Sequence, residues 1–118
     1  MGKTSLRSSF SYAIVGIIYA LVRERNMRIH FLAACAAVAL GIWLDISRME
    51  WGLLSLTITL VIAVEMVNTA VEKTVDIITG EYHPLAKAAK NVAAGAVLLT
   101  AINALVMAYI IFVPHLLR

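Results

Sequence analysis

Charge is what this chain has least of. Only 14% of its 118 residues are charged and 62% are apolar, with a mean hydropathy of +0.90. A soluble domain carries about 25% charged and roughly 45–50% apolar residues. One domain of this length can build a core, but it lacks the polar surface to wrap that core in water. A soluble enzyme and a disordered tail are both excluded. Cysteine is nearly absent: Cys35 stands alone in an Ala-rich run, which rules out an intrachain disulfide and predicts a small packed side chain. Neither G-x-x-x-x-G-K-[ST] nor G-x-G-x-x-G occurs, so no glycine-rich nucleotide loop is available. His30, His83 and His115 lack metal-ligand spacing, and His115 reads as an ordinary packed side chain. No Cys–His pair suggests a nucleophile.

What the chain does have is apolar length. Three runs stand out, at 29–46, 51–71 and 92–113. A membrane-crossing helix needs about 20 apolar residues, within a range near 17–25, and the first run is at the short end. Backbone in lipid must satisfy its own hydrogen bonds, so long runs without strand alternation predict helices. Ala33, Ala34, Ala36 and Ala37 in the first run, and Ala93, Ala94, Gly95 and Ala96 at the third, predict close packing on other helices. Thr100 and Asn103 read as interhelical hydrogen-bonding groups. The N-terminal stretch, about 5–26, differs. Phe10, Ile14, Ile17, Ile18 and Leu21 recur at helical spacing, with Lys3, Arg7, Arg23 and Arg25 flanking them. That predicts an amphipathic helix lying in the membrane interface. A signal peptide would need a small-residue cleavage site where Leu21-Val22-Arg23-Glu24 stands.

The basic residues predict the orientation. Lys3, Arg7, Arg23, Arg25 and Arg28 precede the first span, and Lys73, Lys87 and Lys90 separate the second from the third. Only Arg48 and Arg118 fall on the other side. The positive-inside rule then makes the N-terminus and the 72–91 loop cytoplasmic. In a membrane chain the net charge of +3 is a topology signal, so no nucleic-acid partner is expected. No repeat or linker divides the chain, and residues 1–118 read as one domain.

The second run ends unusually, in VIAVEMVNTAVEKTVD. Glu65, Asn68, Glu72 and Asp76 are spaced three, four and four apart, on one helix face. The stripe is about 16 Å long. An ionised carboxylate in lipid costs at least about 2.5–3.5 kcal/mol and ordinarily marks a site. Upstream, RERNMRIH carries Glu24, which reads as an i,i+4 partner of Arg28. Two carboxylates, with phosphate oxygens and water, are a usual holder of Mg²⁺. Beside Lys73, Lys87, Lys90, Arg25 and Arg28, they suggest phosphate transfer at a membrane surface. A non-catalytic bundle that relays protons or ions would also explain Glu65, and an assembly subunit would use only the Ala-rich faces.

The segments EMVNTAVEKTVD, GEYHPLAKAAKNVAAGAVLL, RERNMRIH and WLD resemble the prokaryotic diacylglycerol kinase family, over about nine-tenths of the chain. ERNMRIH is similar to the Gram-positive branch acting on undecaprenol. The resemblance implies an all-α membrane bundle, with an interfacial helix and three spans per chain. It also implies a homotrimer in the bacterial cytoplasmic membrane, with MgATP as phosphoryl donor and active sites shared between subunits. By the same resemblance Glu65 is the general base, Glu24 and Glu72 are the Mg²⁺ ligands, and Asn68 is the polar residue between them. Lys90 contacts phosphate, Tyr12, Glu81, Tyr82 and His83 contact the nucleotide, and Asp76 closes the helix motif. The acceptor is a membrane lipid alcohol, either undecaprenol or diacylglycerol. The family's Lys-Asp pair is Lys90-Asn91 here, so the nucleotide contact at Asn91 loses its charge.

Overall fold

The computed structural model describes residues 5–118; Lys3, one of the basic residues in the orientation argument, lies outside them. Four helices account for nearly all of the described chain: α1 Leu6–Arg23, α2 Arg25–Leu44, α3 Arg48–Ile78 and α4 Pro84–Leu116. The last three are each long and apolar enough to cross a membrane. Together they make an all-helical membrane architecture.

Local chemistry sets the boundaries. Ser5 caps α1 by accepting a bond from the Ser8 amide. Glu24 breaks the chain between α1 and α2 with extended dihedrals. The Arg28 guanidinium then donates to the carbonyls of Leu21 and Val22, at 3.1 and 2.8 Å. Those carbonyls are unpaired at a helix C-terminus, so Arg28 holds the corner. Arg25 therefore already belongs to α2, and the N-terminal helix is shorter than the expected 5–26.

The first span also ends early, at Leu44 rather than Ile46. Asp45 adopts the left-handed conformation, with its amide on Ile42 O and the Ile46 amide on Gly41 O. That paired bonding terminates a helix and turns the chain. Ser47 then starts α3 with a capping box. The Ser47 hydroxyl accepts from the Glu50 amide, and the Glu50 carboxylate accepts from the Ser47 amide. Glu50 also meets His115 Nε2 at 2.9 Å, joining the start of α3 to the end of α4. His115 thus has a specific partner where a bland packed histidine was expected. Glu50 precedes the apolar stretch 51–71; the Ser47 amide first, and His115 next, hold its carboxyl below the ordinary range.

The segment expected as a 72–91 loop is mostly helix. α3 continues to Ile78, only residues 79–83 connect, and α4 starts at Pro84 with His83 Nδ1 accepting the Leu85 amide. A proline at the first helical position costs no hydrogen bond, which explains the early start.

α4 packs most extensively on α3. Ile46, Leu54, Ile111 and Phe112 form a core at the α2–α3 turn, with Trp51 and Met107 against it. Gly41 lets the Trp51 ring approach α2: a Cβ there would lie 2.9 Å from Trp51 Cη2. Elsewhere α2 stands away from α4. Ala33, Ala34 and Ala37 face an apolar cleft of about 360 Å³, lined opposite by Ala101, Ala104 and Ala108. Small side chains therefore leave a gap within one chain instead of the expected tight contact. Cys35 is exposed rather than packed. The Thr100 hydroxyl bonds Val97 O on its own helix, and Asn103 is exposed on α4.

Candidate active site

Unbroken helix from Arg48 to Ile78 brings Glu65, Asn68 and Glu72 to one face of α3, at the end nearer the α3–α4 connection. Glu65 is 3% exposed and Asn68 7%. Asn68 Nδ2 donates to Glu72 Oε1 at 3.1 Å, which orients that carboxylate and uses one of the amide's two functions. Asn68 Oδ1 and Glu65 Oε2 are buried with no hydrogen-bond partner. Buried polar atoms are almost always paired, so two orphans on one helix face point to a ligand.

Both residues line a cavity of about 400 Å³ enclosed by three helices. α2 contributes Asn26, Ile29 and His30; α3 contributes Glu65, Asn68 and Glu72; α4 adds Ala94, Val97, Leu98 and Ala101. The His30 ring approaches Glu65, with Nε2 3.7 Å from Oε2. His30 is the only Asp, Glu, Lys, Arg or His between Arg28 and Asp45. That isolation in an apolar run was the sequence signal for it, and metal-ligand spacing was the wrong test.

Glu24 projects from the α1–α2 break beside the same stretch of α3. Its partner is Lys73, at 3.4 Å, rather than the expected Arg28, whose guanidinium is engaged with carbonyls. Lys73 follows the apolar stretch 51–71, and the Glu24 carboxylate beside it pushes its ammonium above the ordinary range. Because Lys73 is the neighbour of Glu72, the contact brings the two candidate metal ligands to one level. No group of three His, Cys, Asp or Glu side chains is gathered among the described residues. That donor set fits Mg²⁺, which is commonly bound by one or two carboxylates plus substrate phosphates, better than a metal needing an all-protein cage.

A second cavity, about 460 Å³, lies under the α3–α4 connection. Asp76, Glu81, Tyr82, His83, Lys87 and Lys90 line it, together with Thr79 and Gly80. Thr79 fixes the connection by bonding both the amide and the carbonyl of Glu81. Lys87 sits 5.9 Å from the Tyr82 ring centroid. Lys90 Nζ donates to Asp76 Oδ1 at 2.7 Å, so Asp76 turns to α4 and does not extend the Glu65 stripe. Asn91, about 100° further round α4 than Lys90, is exposed and lines neither cavity. Tyr12 is likewise exposed, on α1, and outside both. The two cavities have no lining residue in common. One chain therefore gathers Glu65, Asn68 and Glu72 in one cavity, with Glu24 held nearby on Lys73, and separately Glu81, Tyr82, His83 and Lys90 in the other.

A family model described as prokaryotic diacylglycerol kinase matches residues 11–112. Undecaprenol kinase of Bacillus subtilis (strain 168) is 44% identical over 108 residues, covering 92% of this chain and 88% of the relative. Diacylglycerol kinase of Synechocystis is 42% identical over 114 residues, 96% of this chain but 65% of that protein. Diacylglycerol kinase of Escherichia coli K12 is 33% identical over 114 residues, covering 97% and 93%.

Proposed function

Because the chain belongs to the prokaryotic diacylglycerol kinase family, we propose that it is a lipid kinase moving the γ-phosphoryl group of MgATP to undecaprenol. The observation that carries this reading is the pair of orphaned buried atoms, Glu65 Oε2 and Asn68 Oδ1, beside a cavity that meets an apolar cleft. A buried carboxylate at that junction suits a base acting on an alcohol whose tail stays in lipid. ERNMRIH and the 44% identity to an undecaprenol kinase favour the polyprenol. Diacylglycerol is the second reading, favoured by the names of the Synechocystis and E. coli relatives.

Glu65 accepts the hydroxyl proton as the alcohol oxygen attacks the γ-phosphorus in line with the departing ADP. Asn68 donates to Glu72 and has its carbonyl oxygen free to accept from the incoming alcohol or water. Glu24 and Glu72 would hold Mg²⁺, which supplies charge neutralisation on the ATP phosphates. Glu65 and Glu72 are two turns apart, about 10 Å along the axis, so base and metal ligand address different atoms. Lys90 exchanges Asp76 for phosphate oxygens; the pair is open to solvent, so the exchange costs little. Glu81, Tyr82, His83 and Tyr12 line the nucleotide, and Asn91 offers it an uncharged contact.

The working form in this reading is a homotrimer, one domain per chain, in the bacterial cytoplasmic membrane. The division of site residues between two cavities of one chain supports sites completed by a neighbouring subunit. The distribution of Lys and Arg supports a cytoplasmic N-terminus and α3–α4 connection. Exposed Phe10, Ile14, Ile17 and Ile18, with Arg7 and Arg23, support an interfacial α1.

The test is phosphate transfer from labelled ATP with Mg²⁺ in liposomes, offering undecaprenol and diacylglycerol side by side. Label in polyprenyl phosphate supports the reading, and label mainly in phosphatidic acid moves the assignment to the glyceride. Transfer to neither, by folded protein, overturns the kinase and revives a non-catalytic bundle.

A further inference from the structure

The chemistry above leaves a proton on Glu65, and the burial that makes Glu65 a site also isolates that proton. The carboxylate is 3% exposed, and Oε2 has no hydrogen-bond partner. A base that cannot be cleared of its proton works once. The nearest candidate acceptor is His30, whose Nε2 lies 3.7 Å from Oε2 and whose side chain is 21% exposed. At that distance the contact is longer than a hydrogen bond, and catalytic pairs of this kind commonly tighten when substrate binds.

The surroundings single out His30. The charged groups that share its cavity both come from α3: Glu65, within 3.7 Å, and Glu72 further along the lining. α4 presents only Ala94, Val97, Leu98 and Ala101 there. Arg28, two residues earlier on α2, is turned away onto α1 carbonyls. Histidine is also the side chain whose proton exchange falls naturally near neutral pH. Its position is equally particular, because His30 and Ala101 alone line both the Glu65 cavity and the apolar cleft.

We propose that His30 is the positioning and proton-accepting partner of Glu65, standing where the apolar cleft opens into the carboxylate cavity. The inference rests on the lipid-kinase reading. In the transfer step the alcohol O–H bond breaks and its oxygen bonds the γ-phosphorus. The bridging P–O bond breaks with its electron pair leaving on ADP, and the proton goes to Glu65. Neutral His30 then takes that proton at Nε2, restoring the carboxylate, and the ring gives a proton to water on its exposed side. Before transfer the same contact holds the Glu65 carboxylate turned towards α2, where the cleft delivers the hydroxyl.

The experiment compares wild type, His30→Gln, His30→Ala, Glu65→Gln and the Glu65→Gln/His30→Gln double variant, each full length in liposomes with MgATP and undecaprenol or diacylglycerol. In folded His30→Gln, kcat falls at least about tenfold while KM for MgATP stays within about twofold. Added imidazole restores His30→Ala in proportion to its neutral form. The double variant is no slower than Glu65→Gln alone, because the relay has nothing to relay. Wild-type kcat in folded His30→Gln overturns the proposal. So does a loss that imidazole leaves untouched and that adds to the Glu65→Gln defect, which marks a packing role. A wild type inactive on both lipids overturns the kinase reading itself and His30's part with it; an active wild type with indifferent His30 variants overturns His30 alone.

Discussion

Gly41→Ala tests how α2 is held on α3. The new Cβ would lie 2.9 and 3.2 Å from Trp51 Cη2 and Cζ2, and 3.1 Å from Ile46 Cδ1. Carbon pairs rest at about 3.5–4.0 Å, so these atoms must retreat by roughly 0.3–0.6 Å. Neither neighbour has an easy retreat. Ile46 is buried in the core with Leu54, Ile111 and Phe112, and Trp51 is wedged against it. Overpacking of this sort costs about 1–3 kcal/mol. Exchanging glycine for alanine in a helix returns at most about 1 kcal/mol, and less near the helix end where Gly41 sits. The strain wins. The expected net loss of about 1 kcal/mol corresponds to a melting temperature lower by roughly 2–8 °C for a chain of this size. Thermal unfolding in detergent, followed by helical circular dichroism, reads it. A Trp51→Ala background supplies the control, since without the ring only the Ile46 contact remains and the loss from Gly41→Ala shrinks. A raised melting temperature in the native background, or an equal loss in both, would refute the close approach.

Other expectations concern the site and the opposite end of the bundle. Glu65→Gln stays folded and binds MgATP but turns over at least about 100-fold slower, and near-native turnover would remove Glu65 as the base. Glu72→Gln raises the Mg²⁺ concentration needed for half-maximal rate. Asn68→Leu does so by about tenfold, because the 3.1 Å bond orienting Glu72 is lost; an unchanged Mg²⁺ titration in both counts against the ligand role. Glu50 sets a pH dependence of stability. Its folded carboxyl is held below the ordinary value of 4.5, so the stability it contributes is present above 4.5 and is lost as pH falls through the lower folded value. Unfolding midpoints at about pH 6 and pH 3 should therefore differ less in Glu50→Gln than in wild type, and an equal difference would exclude the Ser47–Glu50–His115 contact.

Helix existence was legible because hydrophobic length in a membrane leaves the backbone one choice. Boundaries were less so, since they depend on bonds that no hydropathy window contains: Arg28 on the α1 carbonyls, Asp45 in the left-handed conformation, Pro84 opening α4 well before the apolar run at 92. The face shared by Glu65, Asn68 and Glu72 followed from helical periodicity alone. Partners did not, because Lys73 meets Glu24, and Lys90 meets Asp76, across separate helices. The same long-range geometry hid His30 and His115. Each acquires its meaning from a carboxylate 35 or 65 residues distant.

The unbroken length of α3 has a consequence for where this protein works best. Its 31 residues extend about 46 Å, whereas the hydrocarbon layer is about 30 Å deep. The helix therefore acts as a depth gauge, on which Glu65 and Glu72 are fixed marks that lipid must match. A bilayer a few ångströms thicker submerges Glu65 further from the plane where an alcohol group floats, and a thinner one lifts it into water. Turnover in vesicles of graded acyl-chain length should pass through a maximum, making membrane thickness a quantity to which the enzyme is tuned.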